Sequence, residues 1–342
     1  MIAPSRLRVA RKRRGLNKTR LAEAVGVDLR AVTAFERGEY EPRPETLGRI
    51  ARATGFPADF FGGPELHEPT PITASFRSMS RMSAGTREAA LAAGAIAFLL
   101  NDWIEARFDL PRPDLLDLPG EEPEAAAMTL RRHWGLGEAP VRNMVHLLEA
   151  RGVRVFSLAE DSIDVDAFSL WREGTPFTFL NTLKSAEHGR FDAAHELGHL
   201  VLHRHGGPQG REAEAEANRF AAAFLMPRGG VLAEAPRLVT PDALVALKHR
   251  WTVSAAALNH RLHALGLTGD WQYRSLCIEL AARGWRTAEP EPARREMSQL
   301  LAKVFAALRA DGVGKAEVAR QLHLDERELD RLVFGLVMVA LG

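Results

Sequence analysis

The sequence predicts a mainly α protein with one small β-sheet, an α+β class, on three observations. Apolar residues recur at helical spacing from the N-terminus and stop at glycines. Three short β-branched or aromatic runs cluster in the middle of the chain. Nearly everything after them returns to helical spacing.

In chain order, Leu7, Val9 and Ala10 precede Gly15, and Leu21, Ala22 and Val25 end at Gly26. Leu29, Val32, Ala34 and Phe35 close at Gly38, and Leu47, Ile50, Ala51 and Ala53 at Gly55. Short stripes of this kind build an all-helical bundle over residues 1–64. Residues 62–86 are rich in Pro, Gly, Ser and Thr and read as a linker. A long apolar helix over about 87–108 and a proline-rich stretch complete a connector over 65–120. Helices with Leu130 and Trp134, then Met144 and Leu148, lead past Gly152 to strands at 153–156, 167–171 and 176–180, the last two joined at Glu173–Gly174. Helices over about 191–204 and 212–225 finish a mixed domain at 121–235. Residues 236–342 read as a helical C-terminal region, and no internal repeat stands out.

Composition limits the function classes. With 46% hydrophobic and 26% charged residues, the 342-residue chain has the profile of a globular protein. One cysteine, Cys277, excludes a disulfide scaffold. The longest uncharged apolar run, Ala89 to Leu100, is well short of the ~18–20 residues of a membrane span. No signal peptide is present, so a cytoplasmic protein without a membrane partner is expected. Residues 1–64 carry thirteen Lys/Arg against seven Asp/Glu, net +6, which leaves 32 against 37, net −5, for the remainder. A basic end on an acidic chain suits a polyanion-binding module attached to another function.

The chemistry is concentrated in RFDAAHELGHLVLHR, residues 190–204. His195 and His199 lie four apart, so on a helix both imidazoles leave one face and can grip one cation. Glu196 stands beside the first histidine, placed to take a proton from water that a zinc ion has activated. A catalytic zinc needs a third protein ligand. His205 has the spacing of the long metzincin motif, but Leu202 occupies the place of that motif's glycine. Glu214 on the following helix is the other candidate, with Asn218 one turn on to hold a ligating histidine by its second ring nitrogen. Glu212 and Glu216 compete with it, although i and i+2 diverge by ~200° on a helix. His203, ~12 Å along the helix from His195, is too distant to share the ion. His188, His203 and Arg219 are the candidate oxyanion stabilisers.

RFDAAHELGHLVLHR followed by EAEANRFAAAFLMP resembles the ImmA/IrrE family of zinc metallopeptidases. Residues 130–136, 147–156 and 179–182 extend that resemblance across about 121–235. It implies one zinc per chain held by His195, His199 and Glu214, with Glu196 as the catalytic glutamate. It further implies endoproteolysis of a partner transcriptional repressor, triggered by stress or a mobile element.

Residues 16–38, LNKTRLAEAVGVDLRAVTAFERG, with Pro42 and TLGRIARATG after them, resemble the helix-turn-helix of Xre/Cro-type repressors. The resemblance implies double-stranded DNA as partner, an operator read from the major groove by the helix over about 28–36. Leu29, Arg30 and Thr33 are the base-reaching candidates, and Lys18, Arg37 and Arg43 the phosphate contacts. Paired half-sites favour a homodimer. From residue 294 the chain is faintly similar to another helix-turn-helix, through GVGKAEVARQLHLDERELDRLVFGL, though core packing or an oligomer contact is the preferred reading. The whole predicts a DNA-binding regulator with a zinc endopeptidase domain. The alternative is a non-proteolytic, repressor-like or antitoxin-like factor whose zinc is structural or sensory.

Overall fold

The computed structural model describes residues 2–70, 74–76, 83–158, 167–205, 210–285 and 287–337. Parts of the expected linker and the loop before residue 210 lie outside these. Two compact units share the chain: Met1–Leu110 with Phe156–Asp166 and Gln299–Gly342, and Pro111–Val155 with Ala167–Ser298.

The first unit begins with α1 (Pro4–Arg13), α2 (Lys18–Val25), α3 (Leu29–Arg37) and α4 (Pro44–Thr54). Asn17 and Asp28 set where α2 and α3 start, because their side chains accept the backbone N–H of Arg20 and Ala31. Gly26, at φ 69° and ψ 46°, supplies the left-handed residue that turns the chain from α2 into α3. Leu21, Val25, Val32 and Phe35 are buried between these helices, and Phe56, Phe60 and Phe61 close the bundle. A buried Arg11–Glu36 ion pair at 2.5 Å ties α1 to the end of α3. After a short strand, β1 (Ala74–Phe76), comes α5 (Ala84–Glu105). Its start lies ahead of the periodic apolar residues because Ser83 caps it through the Thr86 N–H. Residues 89–98 of α5 are all buried, and α5 packs against α1. Among the described residues, no helix is long and apolar enough to cross a membrane.

The second unit contains α6 (Pro123–His133), α7 (Met144–Ala150), the first half of β2 (Arg154–Ser157), β3 (Phe168–Arg172) and β4 (Thr175–Leu180). β3 and β4 form an antiparallel hairpin, Phe168 opposite Phe179 and Arg172 opposite Thr175, with β2 next to β4 in a small sheet. Glu173 and Gly174 both have positive φ, the two-residue turn whose twist matches the strands. α8 (Ala186–Leu202) packs on both strands of the hairpin and on α9 (Arg211–Leu225). α8 begins at Ala186 because Ser185 accepts the His188 N–H, five residues before the motif's apolar stripe begins. Arg131 of α6, fully buried, donates to the carbonyls of Phe224 and Gly137 and so holds the end of α9. α10 (Arg228–Glu234), α11 (Pro241–Trp251), α12 (Ala255–Ala264) and α13 (Asp270–Ala282) complete the unit. The chain then returns to the first unit as α14 (Gln299–Ala310), α15 (Lys315–Leu322) and α16 (Glu326–Val333). The architecture is the predicted one, mainly α with a small sheet.

Candidate metal centre

Close packing of α8 on α9 builds the site. Gly198 makes the approach possible, since a Cβ there would lie 3.1 Å from the Phe220 ring and 3.3 Å from the Ala217 Cα. Buried Ala213, Ala217 and Ala221 keep the facing side of α9 small. At this separation a side chain from the start of α9 reaches the histidines of α8.

That side chain is Glu214. Its two carboxylate oxygens lie 3.4 Å from the Nε2 of His195 and 3.4 Å from the Nε2 of His199, and the two Nε2 atoms are 3.1 Å apart. His195 and His199 are buried. Glu212 is exposed on the same helix, and His205 pairs with Asp117 at 2.7 Å. Among the described residues, His195, His199 and Glu214 form the one cluster whose donor atoms all lie within 4.8 Å of one another.

The outer hydrogen bonds determine what those atoms offer. Asn218 Oδ1 lies 3.1 Å from His195 Nδ1 and only accepts, so that nitrogen carries the proton and Nε2 presents a lone pair. His199 Nδ1 is 2.9 Å from His203 Nδ1, and His203 Nε2 is 2.9 Å from a Glu216 carboxylate oxygen. The carboxylate fixes the His203 proton on Nε2, which leaves its Nδ1 to accept from His199. Burial pushes the His199 imidazole down to about 4, so it is neutral near pH 7. Burial alone would raise the Glu214 carboxyl, but the two imidazoles beside it outweigh burial and bring the group down to about 2. Two imidazole lone pairs and one carboxylate thus converge, a nitrogen-and-oxygen donor set suited to a divalent zinc-like cation.

Glu196 is fully buried between α8 and β3, where the Ser169 hydroxyl donates to one of its carboxylate oxygens at 2.6 Å. Ser169 carries no sequence signal, because it lies 27 residues from Glu196 and only the hairpin brings it near. His203 did carry one, the repeated spacing of four after His195 and His199.

The DNA-reading candidates sit on the outer side of the bundle. Leu29, Arg30, Arg37 and Arg43 are exposed, and Lys18 and Thr33 half-buried. Thr33 Oγ1 donates to the Leu29 carbonyl at 3.0 Å, Lys18 Nζ lies 3.4 Å from Glu36, and Arg37 lies 3.4 Å from Glu39.

Comparison with known families agrees with both halves. Residues 7–61 match the helix-turn-helix family, and residues 148–263 match the IrrE N-terminal-like domain of a metallopeptidase family. The chain joins a helix-turn-helix module to an IrrE-type domain. No curated protein matches it. The helix-turn-helix module supports DNA binding and transcription regulation. The IrrE-type match begins in α7 and runs into α12, so it contains the hairpin, α8 and α9, and with them every residue of the cluster.

Proposed function

We propose that the IrrE-type domain is a zinc-dependent endopeptidase acting on a partner protein, in a regulator whose helix-turn-helix module binds an operator. The observation that carries this reading is the convergence of His195, His199 and Glu214, with Glu196 next to the first of them on the same helix. These three would hold one zinc. Bound there, zinc supplies a Lewis acid that lowers the pKa of water and polarises a peptide carbonyl. Glu196 takes the proton of the attacking water and returns it to the leaving amine. Ser169 orients that carboxylate through one oxygen. Asn218, and the chain from Glu216 through His203, hold the two imidazoles in the tautomer that aims Nε2 inward. A repressor is the proposed substrate, and pairing of two chains on half-sites the proposed DNA-bound form. On DNA, Leu29, Arg30 and Thr33 would face the bases and Lys18, Arg37 and Arg43 the phosphates.

One observation favours the second reading, a regulator whose zinc site is structural or sensory: Glu196 is fully buried and hydrogen-bonded to Ser169. Glu196→Gln separates the two. The peptidase reading expects a variant that keeps about one zinc per chain by elemental analysis and loses cleavage of a repressor encoded beside this protein. Absence of cleavage by the zinc-loaded parent leaves the regulator alone standing, and unchanged cleavage in the variant removes Glu196 as the general base.

A further inference from the structure

The end of the chain contains a copy of its beginning. With a shift of 297 positions, Lys18, Leu21, Ala22, Val25, Val27 and Asp28 fall on Lys315, Val318, Ala319, Leu322, Leu324 and Asp325. Val32, Phe35 and Gly38 fall in the same way on Leu329, Leu332 and Gly335. No internal repeat stands out in the sequence because fewer than half of these paired positions are identical. Apart from the lysines that open α2 and α15, the matched positions are apolar residues, caps and turns, while the outward residues differ and hide the repeat from sequence.

The backbone repeats as closely as the pattern. α2 and α15 each span 8 residues and end in a left-handed residue, Gly26 at φ 69° and ψ 46°, His323 at φ 54° and ψ 38°. The next N–H returns to the same place in both, Val27 to the Ala22 carbonyl at 3.0 Å and Leu324 to the Ala319 carbonyl at 2.9 Å. Asp28 and Asp325 then cap α3 and α16 through their side chains, and Gly38 and Gly335 follow with φ of 70° and 68°. Helix, left-handed turn, acidic cap and helix make up a helix-turn-helix.

The two copies differ where the first would meet DNA. Leu29 and Thr33 are replaced by Glu326 and Asp330, carboxylates that a phosphate-lined groove repels. Lys315, at the position of Lys18, lies 3.1 Å from both oxygens of Asp330 and 3.5 Å from Glu326, so its charge is already committed. Arg37 is replaced by Phe334, which is exposed. At the position of Ala31 stands Glu328, buried, and it accepts from Arg13 Nε at 2.9 Å and Arg14 Nη1 at 2.5 Å. Arg14 also donates to the Thr54 carbonyl at the end of α4. Gln321 of α15 accepts from Trp103 of α5 and from Arg107 just beyond its end. The copy is therefore joined to α1 by ion pairs and to α5 by hydrogen bonds.

We propose that residues 315–335 are a second helix-turn-helix unit that has given up DNA reading and instead braces the first, so that each chain presents one reading head. The brace is Glu328 on the basic end of α1.

Two measurements on the full-length protein test it. In anisotropy titrations with a random-sequence duplex at several salt concentrations, Arg37→Ala lowers the slope of log affinity against log salt by about one. Arg327→Ala, an exposed arginine on the outward side of α16, leaves it unchanged. A loss of slope with Arg327→Ala equal to that with Arg37→Ala overturns the single-head assignment. Independently of any DNA, Glu328→Gln speeds amide hydrogen exchange in α1 while exchange in α8 stays as in the parent. Unchanged protection in α1 overturns the brace. Should Glu328→Gln not fold, the milder Gln321→Ala, at the surface, is expected to speed exchange in α15 and in the last turn of α5, and parental exchange in both again counts against the brace.

Discussion

The helix-turn-helix face and the candidate metal site use polar residues in opposite ways. Around α8 the polar groups of the site hold one another through hydrogen bonds: His195 with Asn218, His199 with His203, His203 with Glu216, Glu196 with Ser169. On α3 the two arginines with functional promise, Arg30 and Arg37, are exposed, and Arg37 lies 3.4 Å from Glu39. A buried network of this kind is organised before any ligand arrives, and a fault in one member leaves another unsatisfied in a low-dielectric site. An exposed face is organised only by what binds it, and one altered side chain costs only its own contact. Substitutions should therefore be steep and cooperative in one region, shallow and additive in the other.

The largest expected effect is His199→Ala, which removes a metal-facing nitrogen and should take zinc from about one per chain to none by elemental analysis. Retention of stoichiometric zinc would break the comparison at its centre. Glu196→Gln comes next: metal content stays while turnover of the partner protein falls ~10²–10⁴-fold, the usual weight of a general base. Removing outer support sharpens the contrast. Asn218→Ala and His203→Gln should each weaken zinc ~10–100-fold in a chelator competition, and the pair should depart from additivity if the network acts as a unit. On the other side, Arg30→Ala should cost ~1–3 kcal/mol in operator affinity with no change in zinc.

The smallest effect is on acid stability. The folded His199 titrates at about 4 against an ordinary 6.5, so between those values the unfolded chain binds the extra proton. Glu214 titrates at about 2 against 4.5, so its contribution, complete above 4.5, is lost as pH falls toward 2. Both act in one direction. The melting temperature of metal-free protein should drop as pH falls from 6.5 to 4, and less steeply in His199→Ala.

Legibility in the sequence followed the range of the interaction. The helix-turn-helix could be read because its information is local: caps at Asn17 and Asp28, a glycine at the turn, apolar residues three and four apart. The helix carrying His195 and His199 could be read for the same reason, although Ser185 starts it earlier than its apolar stripe suggests. The C-terminal copy was only faintly visible, since the left-handed turn uses His323 instead of glycine and the outward side is acidic. The Ser169 contact to Glu196 had no local trace at all, because it crosses from a strand to a helix.

By itself the sequence determined that two imidazoles share one helical face with a glutamate beside them, and that a glycine-turned helix pair opens the chain. Those follow from backbone geometry over four or five residues. Only the tertiary structure decided which of Glu212, Glu214 and Glu216 faces the imidazoles and which one reaches His203 instead. That choice depends on how far α9 is rotated about its own axis, which is set where Gly198 admits Ala217 and Phe220. Helical periodicity says which side chains point the same way, and only packing against a second helix says where they point.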